Sequence, residues 1–245
     1  MTKKIAVIND LSGFGRCSLT AAISVLSAMG VQACPLPTAI LTAQTGYPSY
    51  YCDNYTDKME YFRTEWAKMG QHFDGIYTGF VADESQICQI FRFLETFKKP
   101  DTFLLADPVM GDDGKPYPFY TPALLEQMRK LASQADIITP NLTELCLLTG
   151  SDFQSTAGLS DTGVLIQTIQ ASGQELCRKG PKYVIVTGIR FADADGRKHM
   201  GNLLVDSDGS SLFSFPYIGG SYSGTGDLFA SCIAAGCARG DSLPS

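Results

Sequence analysis

The chain has 245 residues, long enough for one α/β domain with a large core, since chains near this size bury about 70–75% of their unfolded surface. Nineteen Lys and Arg against 25 Asp and Glu leave a formal charge of −6, which argues against a nucleic-acid footprint or an anionic membrane partner. An acidic protein that handles anions must make its positive potential locally, from backbone amides, helix N-termini or a bound metal.

The first predicted strand, Lys4–Ile8, runs through a turn containing Gly13-Phe14-Gly15 into a predicted helix at Ser18–Met29. A dinucleotide fingerprint needs a third Gly or Ala after this pair and an acid about 20 residues on for the ribose. The third slot holds Ser18, and no Asp or Glu lies between Asp10 and Asp53, so phosphate chemistry is expected elsewhere. Apolar runs bounded by Gly, Pro or Asp then alternate with stretches of helical period. The strands are Val31–Leu36, Gly75–Thr78, Phe103–Ala106, Ile137–Thr139, Tyr183–Thr187 and Asn202–Asp206. The helices are Asp57–Met69, Glu84–Phe97, Ala123–Gln134, Asn141–Leu148, Thr162–Arg178 and Asp227–Arg239. This is the pattern of βαβ units, and it predicts a single-domain α/β protein with a mostly parallel central sheet between helical layers.

Functional loops in such folds lie at the carboxyl ends of the strands. "LLADPVMGDDGKPY" puts Asp107, Asp112 and Asp113 after a buried strand, where Mg²⁺ with its waters could be held, although a solvated Asp/Gly/Pro loop reads equally well. In "ADIITPNLTELCLLTG", Asn141 caps a helix and Glu144 faces back over the strand ends, with a plain capping box as the alternative. "YVIVTGI" ends a strand at Thr187 and Gly188, which can offer a hydroxyl and an amide to phosphate oxygens. The sharpest motif is "GGSYSGTGDLFASCIAAG". Gly224, Thr225 and Gly226 present successive N–H groups, the next helix adds its positive end, and Asp227 stands at the mouth as a general base. An Asp N-cap after a flexible turn is the competing reading. No G-x-x-x-x-G-K-[ST] loop is present, which excludes a P-loop kinase.

Eight scattered cysteines without a C-x-x-C pair, and only two histidines, argue for reduced thiols rather than a disulfide or metal framework. His72 and His199 are expected to be solvated, Cys17, Cys34 and Cys146 to be small core residues, and Trp66 with Tyr47, Tyr50, Tyr51, Tyr55 and Tyr61 to be ordinary packed or half-exposed positions. No apolar run reaches the length of a membrane helix, and the one after Lys4 is too short for a signal-peptide core, so a cytoplasmic protein is expected. Gly240 followed by "DSLPS" announces a further helix that the sequence does not contain, which suggests a longer natural chain.

The set D-P-V-M-G-D, T-P-N-x-x-E and G-T-G-D, in this order and over nearly the whole chain, resembles the ribokinase superfamily and within it the vitamin B6 (pyridoxal, pyridoxine, pyridoxamine) kinases. The resemblance implies a ribokinase-like three-layer α/β/α domain over residues 1–245 and ATP-dependent phosphorylation of the 5′-hydroxymethyl group of a pyridine substrate. Asp227 would be the catalytic base, with Gly224, Thr225 and Gly226 as the anion hole. Asp107, Asp112 and Glu144 would organise Mg²⁺ and its waters around ATP, Thr139 would lie near a monovalent cation or phosphate, and Thr187 and Gly188 would touch the nucleotide. Asn9 and Thr45 would hydrogen-bond the substrate and Phe80 would face its ring, in a homodimer. Position 9 is Asn where the family commonly has Ser, and residue 80 is Phe where Tyr is frequent. A hydroxymethylpyrimidine kinase of thiamine synthesis fits the same motifs, and a non-catalytic vitamin-binding protein is the rival from another class.

Overall fold

The computed structural model describes residues 2–220 and 222–243. In chain order the elements are β1 (Lys4–Ser12), α1 (Ser18–Ala28), β2 (Gln32–Leu41), β3 (Cys52–Asn54), α2 (Thr56–Lys68), β4 (Gly75–Thr78), α3 (Glu84–Phe97) and β5 (Phe103–Ala106). Next come β6 (Gly111–Asp112), β7 (Lys115–Pro116), α4 (Pro122–Gln134), β8 (Ile137–Ile138), α5 (Leu142–Thr149), α6 (Phe153–Ala157) and α7 (Thr162–Cys177). The chain continues through β9 (Tyr183–Ala192), β10 (Lys198–Val205), β11 (Ser210–Pro216) and α8 (Thr225–Arg239). Two compact units are formed, one from residues up to 107 together with 222–243, the other from 108 onward to the start of the 222 segment. The last two residues of "DSLPS", Pro244 and Ser245, lie outside the described residues.

In the first unit β1 pairs in parallel with both β2 and β4, β4 pairs in parallel with β5, and β3 adds an antiparallel edge to β2. Ile5 to Ile8 are all 0% exposed. A run of consecutive apolar residues is what a parallel strand covered on both faces requires. The crossover β1–α1–β2 moves one way along the sheet and the path through α2 to β4 moves back past β1. Right-handed crossovers therefore put α1 and α2 on opposite faces. The contacts agree: α1 packs on β1, β2 and α8, and α2 packs on α3. Trp66 lies on α2 with ring centroids 5.4 Å from Phe73 and 6.0 Å from Phe93, so it is a packing residue, whereas Tyr47, Tyr50, Tyr51 and Tyr61 are exposed.

In the second unit β8 pairs in parallel with β9, which continues into an antiparallel meander with β10 and β11, and β6–β7 form a short hairpin. Helix α7 packs on β9 and β10. The strand expected to end at Thr187 instead runs on to Ala192. Thr187 and Gly188 face only Asn202 across the ladder, because the register shifts between Gly201 and Leu203. Gly188 has φ +68, the left-handed glycine of a bulge that bends the strand without ending it. His199 departs from the solvated expectation: it is stacked on Phe191, and its Nε2 lies 2.9 Å from Asp193. Among the described residues no helix is long and apolar enough to cross a membrane.

Candidate active site

In the first unit the chain leaves β1 for β2 on one side and returns to β4 on the other, so β1 marks a switch point, and the crevice at its carboxyl end is where ligands of open α/β sheets bind. Asn9 and Asp10 occupy that end of β1, Phe80 follows β4, and Asp107 follows β5. Asp227 joins them from the third position of α8. The N-cap of that helix is Gly224 and carries no side-chain bond, which sets aside the reading of Asp227 as an ordinary cap.

Asn9 is 0% exposed. Its Oδ1 accepts from the backbone N–H of Asp10 at 2.9 Å and of Phe80 at 2.8 Å, and its Nδ2 donates to Asp227 Oδ1 at 3.1 Å. The carboxamide expected against the pyridine ring is engaged here by Asp227 and the backbone. Burial pushes the Asp227 carboxyl above its ordinary range; the backbone N–H of Ser18 and the Asn9 carboxamide pull the other way, and Asp10 adds to the rise. A carboxylate that is desolvated yet held by donors is a stronger proton acceptor than an ordinary exposed one. Asp10 is itself buried, accepts the Ser12 hydroxyl at 2.9 Å, and is pushed up by burial against bonds from Ser18 and Ser12. Ser18 has φ +50, a left-handed backbone that a non-glycine residue adopts at a cost.

The two glycines before Asp227 are glycine for different reasons. Gly224 has φ +85, and a Cβ there would overlap the Arg16 carbonyl. Gly226 has no positive φ, and among the described residues outside its own helix the atom a Cβ added to it would meet within 4 Å is Asp107 Oδ2, at 3.9 Å. The first-turn N–H groups of a helix have no intrahelical partner, so α8 presents donors beneath open space at Gly226. Around this turn, Gln44 Nε2 donates to Ser223 Oγ at 3.4 Å, and Gly13 and Gly15 pack closely against residues 42–44. Thr45 is exposed on that segment, Phe80 is half-exposed, and Asp107 is buried.

The second unit collects the other expected residues. Glu144 is 4% exposed, and its two oxygens accept from Met110 N at 3.1 Å and Asn141 N at 2.8 Å, while Asn141 Oδ1 accepts from Glu144 N. The capping box is therefore formed. Asn141 Nδ2 also donates to Gly111 O at 2.9 Å, which ties the D-P-V-M-G-D loop to α5. Asp112 is exposed on β6 and Thr139 is buried. The Gly188 N–H, expected to reach a phosphate, instead donates to Asn202 Oδ1 at 3.2 Å, and Thr187 N donates to Pro140 O. The half-buried Thr187 hydroxyl is left as the polar group of that bulge. Among the described residues no three His, Cys, Asp or Glu side chains converge as a metal cage. The oxygen donors present nevertheless suit Mg²⁺, which keeps most of its waters and binds chiefly through substrate phosphates.

Residues 15–245 match the family model described as phosphomethylpyrimidine kinase. The chain belongs to the phosphomethylpyrimidine kinase family. Curated relatives from Caenorhabditis elegans and Schizosaccharomyces pombe, both named as pyridoxal kinases, are 30% identical over 169 residues. That stretch is 66% of this chain but 48% and 46% of theirs, so the chain spans about half the length of these relatives. A Bacteroides thetaiotaomicron structure named as a phosphomethylpyrimidine kinase, in a crystal form with pyridoxal, is 38% identical with a TM-score of 0.88, covering 100% of this chain and 83% of that one. Pyridoxal kinase from Leishmania donovani in complex with ADP and pyridoxamine is 25% identical with a TM-score of 0.76, covering 95% and 78%. The expected family and the ribokinase-like α/β fold are borne out by these matches.

Proposed function

We propose that the chain is an ATP-dependent kinase that phosphorylates the 5′-hydroxymethyl group of pyridoxal, pyridoxine or pyridoxamine. The observation that carries the proposal is Asp227, desolvated and held by Asn9 and Ser18, at the head of a helix whose first-turn amides lie beneath unfilled space at Gly226. Asp227 accepts the proton of the substrate hydroxyl while the amides of Thr225 and Gly226 carry charge on the transferring phosphoryl group, each such donor contributing on the order of 10²–10³ in rate. Thr45 and Phe80 contact the pyridine. Asp107 of the first unit and, in the second, Asp112, Thr139, Glu144, Thr187 and Gly188 are the residues we assign to the nucleotide, to Mg²⁺ with its waters and to a monovalent cation. The metal, when bound, neutralises the phosphates; the protein's own part is to hold base and amides in place. The relatives' names and the pyridoxal and ADP of the neighbours support this reading. It extends to one ribokinase-like domain acting as a cytoplasmic homodimer, for which light scattering of the purified protein is the check.

The family description favours one second reading, a hydroxymethylpyrimidine kinase. ADP release measured in parallel with pyridoxal, pyridoxine, pyridoxamine and hydroxymethylpyrimidine, with products identified by mass, decides between them. Turnover of a B6 vitamer supports the proposal, preference for the pyrimidine replaces it, and tight vitamer binding without ADP release indicates a binding protein.

A further inference from the structure

The sequence places Asn9 at the substrate, and the structure gives it different work. We infer that Asn9 is a positioning residue for Asp227: a locked carboxamide that holds the carboxylate in its reactive rotamer and supplies one of its stabilising donors. The inference rests on the reading of Asp227 as the base.

Four observations carry it. The Asn9 Oδ1 accepts two backbone N–H groups, from Asp10 on its own strand and from Phe80 after β4, so both lone pairs are engaged and the amide cannot flip without leaving two buried donors unpaired. That fixes Nδ2 as the end facing Asp227 Oδ1, 3.1 Å away. The side chain is 0% exposed, and Gly79 gives way to it, since a Cβ at position 79 would overlap the Asn9 carboxamide. The backbone N–H of Ser18, whose own backbone is left-handed, is a further group that favours the ionised form of Asp227. A rigid donor from the sheet fixes one carboxylate oxygen, and the strained first residue of α1 adds a second favourable dipole, an arrangement that favours one rotamer. The ionisable groups around Asp227 include Asp10 of β1, Cys17 before α1, Tyr77 of β4 and, beside Gly226, Asp107 after β5, with Arg16 next along the chain from Cys17. The charged group that acts most strongly on Asp227 is Asp10, which disfavours ionisation, and the leading effects that favour the charged form come from neutral donors.

The test is Asn9→Asp. It preserves size and both acceptor bonds but turns a donor into a carboxylate facing Asp227. Two backbone N–H bonds favour the ionised form at position 9, so a shared proton sits on Asp227 and the base is blocked until higher pH. The expected result is an acid limb of kcat/KM displaced upward by at least about one pH unit with KM for pyridoxal within about threefold, and turnover recovering at alkaline pH. Asn9→Ala, which only deletes the donor, should move the limb in the same direction by less. Carboxyl ¹³C titration of Asp227, assigned as the resonance lost in Asp227→Asn, reads the coupling without turnover. An unmoved Asp227 titration in Asn9→Asp, or a raised KM with an unchanged pH profile, overturns the positioning role and returns Asn9 to the substrate. Full activity in Asp227→Asn overturns the base assignment itself, and does so whatever Asn9 variants show.

Discussion

Replacing Gly226 with Ala should raise stability and sharply lower turnover together. Gly226 is the second residue of α8, its φ is not positive, and an added Cβ would meet only Asp107 Oδ2 at 3.9 Å, an ordinary van der Waals separation. Among the described residues outside α8, none is close enough to resist the methyl group. Alanine is the better helix former by up to about 1 kcal/mol, which for a chain of this size is a rise in Tm of about 1–4 °C. The same methyl projects into the space over the first-turn amides. If the transferring phosphoryl passes there, its oxygens are pushed off their donors and kcat falls by about 10²–10³. Thermal melts followed by circular dichroism and coupled ADP release with pyridoxal give both numbers on one preparation. Wild-type turnover in the variant would refute the assignment of the anion hole, and a lowered Tm would refute the claim that the space is open.

Gly224→Ala should fail in the opposite way, losing several °C of Tm because the left-handed backbone costs a side chain about 1–2 kcal/mol and the Cβ overlaps the Arg16 carbonyl. Asp227→Asn should lower kcat by about 10²–10⁴ with KM for pyridoxal little changed, measured by steady-state kinetics. Glu144→Ala should strand the buried N–H groups of Met110 and Asn141 and lower stability by about 2–5 kcal/mol in urea melts, a loss that Glu144→Gln recovers only in part. Asp10 has a folded pKa raised above the ordinary 3.8, so the folded state binds its proton more tightly and stability falls as pH rises through and above that range. Asp10→Asn should therefore be more stable than the parent at pH 8, with the advantage vanishing near pH 4; an equal gain at both values would contradict the burial argument.

Much of this was legible in the sequence because the elements announce themselves locally. Glu84–Phe97 was read to the residue, since Asp83 caps it and its apolar face repeats at helical spacing. The strand β11 was missed because all seven of its residues are exposed, so no alternation between an inner and an outer face marks it. The bulge at Thr187–Gly188 was read as a strand end, since a glycine in an apolar run signals both equally well. The network around Asp227 was hidden for another reason. Asp227 is 218 residues from Asn9 in the chain, and the only local sign was Ser18 standing in a slot where a glycine was sought. Its left-handed backbone shows that the slot does demand a glycine-like conformation, put to a different use.

The acidity of the first unit bears on what must accompany the phosphoryl group. Asp227, Asp10 and Asp107 gather at the carboxyl ends of β1, β4 and β5, and the groups acting most strongly on Asp227 and Asp10 include no Lys or Arg. The α8 N-terminus contributes the equivalent of about half a positive charge, far short of the three carboxylates if all are ionised. A bare nucleotide triphosphate entering this field is repelled, and backbone amides alone do not reverse the sign. On the proposed kinase reading we expect divalent cation to arrive with the nucleotide, so ADP release at fixed ATP should rise with Mg²⁺ until the nucleotide is fully complexed and vanish with excess EDTA. Turnover in EDTA at more than about a tenth of the Mg²⁺ rate would mean that the protein supplies positive charge from groups other than these, and that the phosphoryl group does not pass the head of α8.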